Sequence, residues 1–232
     1  MAIQVHIWSD IVCPWCFVGK RRFERALKDF GEPVEITWHS FELDPHQTSL
    51  GGSSASAPER LAKKLGMPVE RALAMMEQMA ETGRPEGISF NLKDGKTRSS
   101  FDAHRLVHLA AESGKQDAMK ERLFQAHFEQ ALDVGDREVL RTLGREVGLP
   151  QDAVDEVLGT DRFADEVRSD EATARELGIS GVPFFVIGRY GISGAQKSEL
   201  FVDVLRRVRS ETPEDSSTTT PQQGDACDVR GC

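Results

Sequence analysis

The chain has 232 residues, enough for one large domain or a domain carrying an insertion, and 39% hydrophobic residues supply an ordinary packed core. Its 29 basic and 38 acidic residues leave a net charge of -9, which argues against a nucleic-acid footprint and against attraction to an anionic membrane. No apolar run approaches the roughly 20 residues of a membrane-spanning helix, so a soluble protein acting on a small molecule or another protein is expected.

Residues 3–8 alternate, with Ile3, Val5 and Ile7 against Gln4, His6 and Trp8, the period-two mark of a strand. This alternation runs straight into a cysteine pair without the basic start, apolar stretch and small-residue cleavage site of a secretory leader, so a cytoplasmic location is expected. A helix follows. Pro14 suits a first helical position, where its missing N–H would be unpaired anyway. Phe17, Val18, Phe23, Ala26 and Leu27 form an apolar stripe, Lys20, Arg21, Glu24, Arg25 and Lys28 are expected to face water, and Gly31 and Pro33 end the element. Alternation over 34–43 predicts a second strand and completes a βαβ unit. Residues 47–57 turn to Gly, Ser and Ala and read as a flexible loop.

From 58 to 177 the sequence reads as helical throughout, rich in Ala, Leu, Glu, Arg and Met and punctuated by glycines, with helix starts at Asp136 and Pro150. A helical block of this length between strands predicts an insertion packed on the sheet. Strand character returns over 184–187 and 190–192, joined through Gly188-Arg189 as a tight hairpin. Residues 198–208 form a last amphipathic helix. Beyond Thr212 large apolar residues almost disappear, so residues 213–232 are expected to form a mobile tail.

The stretch SDIVCPWCFVGKRRFERAL sets Cys13 and Cys16 at the junction of the first strand and helix. Three readings are open: a structural disulfide, half of an all-thiolate zinc site completed by Cys227 and Cys232, or a reactive dithiol. Position favours the third, because a C-x-x-C that opens a helix in a βαβ pattern suits redox chemistry, whereas zinc pairs sit on turns. The unpaired N–H groups of the first turn and the helix dipole favour a thiolate at Cys13. Cys16, one turn on, is expected within disulfide reach and better shielded. Cys13 would then attack a substrate disulfide and Cys16 would release the mixed disulfide.

Other residues have two readings each. Pro183, in GISGVPFF, stands where a returning strand begins; an X-Pro bond there is either cis or an ordinary trans proline. Asp10 either tunes thiol ionisation and relays a proton or forms a turn. Trp15 is expected at the exposed lip of the site. His104 and His108 share a helix face at metal-ligand spacing but lack an acidic third ligand nearby, so no metal is assigned. Met67, Met75, Met76 and Met79 either pack the core, the preferred reading, or present a soft binding surface.

The CPWC after a first strand, the GVP before a third and the helical block between them resemble the thioredoxin superfamily, in its DsbA-type branch. Within it SDIVCPWCFVGK, SFDAHRLVHLA and GISGVPFFVI are most similar to the FrnE subgroup, relatives of 2-hydroxychromene-2-carboxylate isomerases and kappa-class glutathione transferases. The resemblance covers about 3–209. It implies a thioredoxin-like α/β fold built from 1–45 and 178–212, with a helical insertion over 46–177. It also implies that Cys13 attacks, Cys16 resolves, Pro183 is a cis proline facing them, Val182 offers its backbone to an extended peptide or glutathione, and His104 lines the site. In the isomerase and transferase relatives a serine stands at the position of Cys13 and works with glutathione; cysteine here favours dithiol exchange.

The expected function is therefore thiol-disulfide exchange on protein or small-molecule disulfides, with no cofactor and with glutathione as a candidate substrate or co-substrate. A glutathione-dependent isomerase or transferase and a soft-metal-binding thiol protein are the alternatives. Cys227 and Cys232 form a C-x4-C pair 14 tail residues beyond Thr212. A flexible chain of that length spans roughly 20 Å, against a body radius of gyration of about 17 Å. The tail pair is thus expected to reach Cys13 and exchange with it.

Overall fold

A computed structural model of the chain describes residues 2–46, 55–96 and 99–211. Strand β1 (Ile3–Ser9) leads into helix α1 (Pro14–Phe30), whose end is set by Gly31 in the left-handed region, φ 74°, donating its N–H to the Leu27 carbonyl. Strand β2 (Val34–Ser40) returns parallel to β1, with Ile7 opposite Trp38. Seven helices follow: α2 (Ala57–Leu65), α3 (Val69–Gly83), α4 (Phe101–Ala111), α5 (Gln116–Phe124), α6 (Arg137–Glu146), α7 (Gln151–Gly159) and α8 (Ala164–Glu176). Strands β3 (Phe184–Ile187) and β4 (Tyr190–Ser193) then form the expected hairpin, and α9 (Ser198–Glu211) closes the described chain. The sheet order is β2-β1-β3-β4, with β3 antiparallel to β1.

Central strand β1 buries Ile3, Val5, Ile7 and Ser9 on one face, while on the other Trp8 is buried, His6 half-buried and Gln4 exposed. One continuous core joins Val5, Ile7, Trp38, Phe185 and Ile187 of the sheet to Phe23 of α1, Leu106 of α4, Met119 and Leu123 of α5 and Phe201 of α9. A second cluster surrounds the cysteines: Phe17 stacks on Phe124 and Phe128, and Phe90 meets Phe17 and Phe128 edge-on.

Three expectations change. The second strand ends at Ser40 instead of continuing to 43, because the next N–H groups leave the ladder for side chains. Ser40 donates to Asp170, Glu42 to Glu171 and Leu43 to Asp10. The region 58–177 is not wholly helical. After a short 3-10 turn, Arg84–Glu86, an irregular segment lies on a π-helical turn, Gln125–Glu129, with the Asn91 N–H donating to the Phe128 carbonyl at 2.6 Å. Lys20 does not face water: only 2% of its side chain is exposed, and it pairs with Glu24, Asp117 and Glu121 beneath α5. Helical periodicity places it on a polar face, but α5 packs over that face.

Candidate active site

Cys13 occupies the N-cap of α1, with extended backbone (φ -96°, ψ 111°) and Pro14 following at the first helical position. The Cys16 N–H donates to the Cys13 carbonyl at 3.0 Å, closing the first turn and bringing the two thiols together; both cysteines are free. Cys16 is the more shielded, as expected, but Cys13 is also nearly closed off, keeping 4% of its surface against 1% for Cys16. Cys13 therefore keeps only a narrow opening at the strand-to-helix junction. Across it stands the Val182–Pro183 peptide, which is cis, and the Cys13 thiol donates to the Val182 carbonyl at 3.5 Å.

The polar groups behind the pair come from three elements. Asp10 is fully buried and accepts hydrogen bonds from the N–H groups of Val12 (3.3 Å) and Leu43 (2.7 Å) and from the Ser100 hydroxyl (2.8 Å). His104 of α4 lies 3.3 Å from it. Burial alone would raise the Asp10 carboxyl, but the bonds from His104, Leu43 and Ser100 outweigh it and hold the group below its ordinary value. His104 does not reach the surface; it is buried behind Asp10 and itself lowered, mainly by burial.

Lys120 of α5 is a buried cation that the sequence reading missed. Its Nζ donates to the Ser9 carbonyl at 3.2 Å and lies over the rings of Trp38 and Phe124. Burial brings it down from 10.5 to about 8, while the nearby Cys16, Asp10 and Cys13 act to raise it. The Cys16 thiol is pushed well above its ordinary value, first by burial and then by the hydrogen bond and charge of Cys13, with the Ser9 hydroxyl and Lys120 offsetting part of this. Lys120 stands three and four residues before Leu123 and Phe124, so its place on an apolar helix face was the available clue.

On the other side of the pair Trp15 is 46% exposed and forms the rim of a cavity of about 500 Å³. Met75, Met76 and Met79 of α3 line this cavity, so the methionine stretch serves a surface as well as the core; Met67 does not line it. His127 and Phe128 of the π-helical turn also line it. His127 was missed as well, although it lies on the same helical face as Leu123 and Phe124.

His104 and His108 part company despite their spacing. His108 turns to the far side of α4, where its Nε2 lies 3.1 Å from Asp170 and from the Ser40 hydroxyl. Asp170 also meets His39 Nδ1 at 2.6 Å. Among the described residues no group of three or more His, Cys, Asp or Glu side chains is placed to hold a metal, and no helix is long and apolar enough to cross a membrane. Cys227 and Cys232 lie outside the described residues.

With this geometry in place, comparison with known proteins is direct. The Bacillus subtilis protein YwbO is 32% identical over 205 residues, spanning 87% of this chain and 94% of that protein. The crystal structure of a probable DsbA oxidoreductase from Streptomyces coelicolor is 40% identical, with a TM-score of 0.86 over 99% of this chain and 100% of that one. A 2-hydroxychromene-2-carboxylate isomerase shares the fold, with a TM-score of 0.68 at 13% identity over 90% of this chain and 97% of that one. Residues 4–206 match the DsbA-like thioredoxin domain, and the chain belongs to that family.

Proposed function

We propose that the protein is a thiol-disulfide oxidoreductase that works through Cys13 and Cys16. The observation that carries this reading is the pair itself: two free thiols in contact at the start of α1, the first 3.5 Å from the Val182 carbonyl next to cis Pro183. The N-terminal end of α1 favours negative charge on the attacking sulfur. The strongly raised Cys16 stays a thiol until needed, so attack begins at Cys13. Its thiolate bonds to one sulfur of a substrate disulfide, R–S–S–R, and expels the other as a thiolate. Cys16 then loses its proton, a loss that the Lys120 charge favours, and displaces the second substrate thiolate by bonding to Cys13 Sγ. Two electrons pass from the protein dithiol to the substrate, and the two protons go to the product thiols.

The glutathione-dependent isomerase or transferase reading needs no second thiol, so the buried Cys16 in contact with Cys13 supports exchange over it. Cys13→Ser is expected to abolish reduction of insulin disulfides, and Cys16→Ser to trap mixed disulfides visible on a non-reducing gel. Retained turnover in Cys13→Ser overturns the proposal, and isomerase turnover that survives Cys16→Ala replaces it. Cys227 and Cys232 are proposed as a second pair that exchanges with the first. Removal of residues 225–232 then slows reoxidation of the first pair, and unchanged kinetics refute that role.

A further inference from the structure

The cavity beside Trp15 has a chemically distinctive lining. About 500 Å³ is the size of a small-molecule site. Trp15, Leu43 and Met75, three of the large apolar side chains left exposed, all line it. Gathered apolar exposure marks a binding surface, and flexible methionines fit varied apolar shapes.

Charge narrows the choice of ligand. Arg60, Lys64 and Lys96 line the same cavity, against the single acid Asp44, on a chain whose net charge is -9. Asp44 is already taken by Lys64 at 3.4 Å. Arg60 donates to the Ala55 and Gly95 carbonyls, at 2.5 Å each, and has no carboxylate partner among the described residues; its Nε is buried without a hydrogen-bond partner. A cation held in this way attracts an anion that it does not yet have.

A polar group stands deeper in the wall. His127 is 9% exposed and its Nδ1 is buried without a hydrogen-bond partner. The π-helical turn that presents it is a feature frequent at functional sites. Burial lowers this ring to about 4, with the Asp10 charge and the Leu132 carbonyl offsetting part of the effect, so it is neutral at pH 7.

We infer that this cavity binds an amphipathic organic anion, with its apolar body against Met75, Met76 and Met79 and its anionic end at Arg60 and Lys96. Val12 and Pro14, the chain neighbours of Cys13, line the cavity although Cys13 itself does not, so the bound molecule rests against the residues that flank the cysteine. It is the non-reacting part of a small disulfide substrate, a role that rests on the exchange reaction proposed above; binding itself does not.

Binding is tested first in the full chain carrying Cys13→Ser and Cys16→Ser, where the thiols beside the cavity are absent. Calorimetric titration with octanoate and with octanol, the same chain without the charge, should show one saturable site that prefers octanoate about tenfold or more. Arg60→Gln should erase the preference, and Met76→Trp, which fills the cavity, should weaken both ligands. Thermal melts establish that each variant is folded. Equal affinity for the two ligands, or binding indifferent to both substitutions, overturns the site.

Substrate selection is then read in the full-length chain carrying Cys227→Ser and Cys232→Ser, so that only Cys13 and Cys16 report, as the reaction rate with 5,5′-dithiobis(2-nitrobenzoate), an aromatic anion, relative to uncharged 4,4′-dithiodipyridine. Arg60→Gln should lower that ratio severalfold, and an unchanged ratio overturns the substrate role. If neither disulfide reacts at Cys13, the exchange reading has failed, and the octanoate titration decides the site alone.

Discussion

At the scale of single residues, the site depends on a glycine inside a helix. Gly19 sits in α1, where Ala would gain about 1 kcal/mol of helix propensity. Its place is explained across the interface: a Cβ there would stand 3.0 Å from Pro183 Cγ and 3.4 Å from the Phe185 ring. The missing side chain lets the Val182–Pro183 turn approach Cys13. Gly19→Ala is expected to displace that turn and lower the rate of Cys13 alkylation by iodoacetamide severalfold, while the melting temperature moves little because propensity and crowding oppose each other.

Lys120 gives a second prediction at this scale. Its folded value of about 8 lies below the unfolded 10.5, so between these values the unfolded chain holds a proton that the folded chain has released. Stability from this group therefore rises with pH across that window, by up to about 3 kcal/mol. Cys16, pushed upward, acts in the opposite sense at alkaline pH. The difference between wild type and Lys120→Met in urea unfolding from pH 7 to 10.5 isolates the lysine and should show the rise only in wild type. The same variant should accumulate mixed disulfide, because the proton on Cys16 loses its nearby cation.

At the scale of elements, two carboxylates, Asp10 buried and Asp170 partly buried, hold the helical layer to the sheet. Asp10, in the turn after β1, bonds to the segment after β2 through the Leu43 N–H and to the start of α4 through Ser100. Asp170 of α8 grips β2 through His39 and the Ser40 N–H and α4 through His108. Burial would raise Asp170, but the hydrogen bonds of His108 and His39 dominate and hold it far below the ordinary carboxylate range. A depressed carboxyl adds stability that is present above its unfolded value, near 3.8, and is lost as pH falls toward the folded one. Asp170→Asn is expected to cost about 1–3 kcal/mol at pH 7 and to flatten the loss of stability below pH 4, as measured by acid unfolding followed by circular dichroism.

At the scale of the molecule, sheet and helices share one core, since Leu106 and Met119 of the helical layer belong to the same buried cluster as Ile7 and Trp38. The seven helices described between β2 and β3 thus complete their core against the sheet. Urea should unfold the described body in one transition, with tryptophan fluorescence and far-ultraviolet circular dichroism coincident. A fragment limited to residues 55–177 should melt without cooperativity, and an independent sharp transition in that fragment refutes this account.

The sequence by itself determined the strands, the helices that flank them, the cysteine pair at a helix start and a proline at the entry to a strand. Each of these is local: period-two alternation, a first-turn proline and a turn before a strand are written in neighbouring residues. That this last proline faces the pair came only from the family resemblance. Only the tertiary structure decided which polar side chains lie inside. Lys20 and Lys120 are both lysines in helices, yet both are buried, one among carboxylates and the other behind the cysteines, because the element that packs over each, α5 for Lys20 and the sheet for Lys120, comes from a distant part of the chain. His104 and His108 share a spacing and meet different partners for the same reason. Burial and its electrostatic cost depend on what covers a residue, and covering is a long-range property that no local period records.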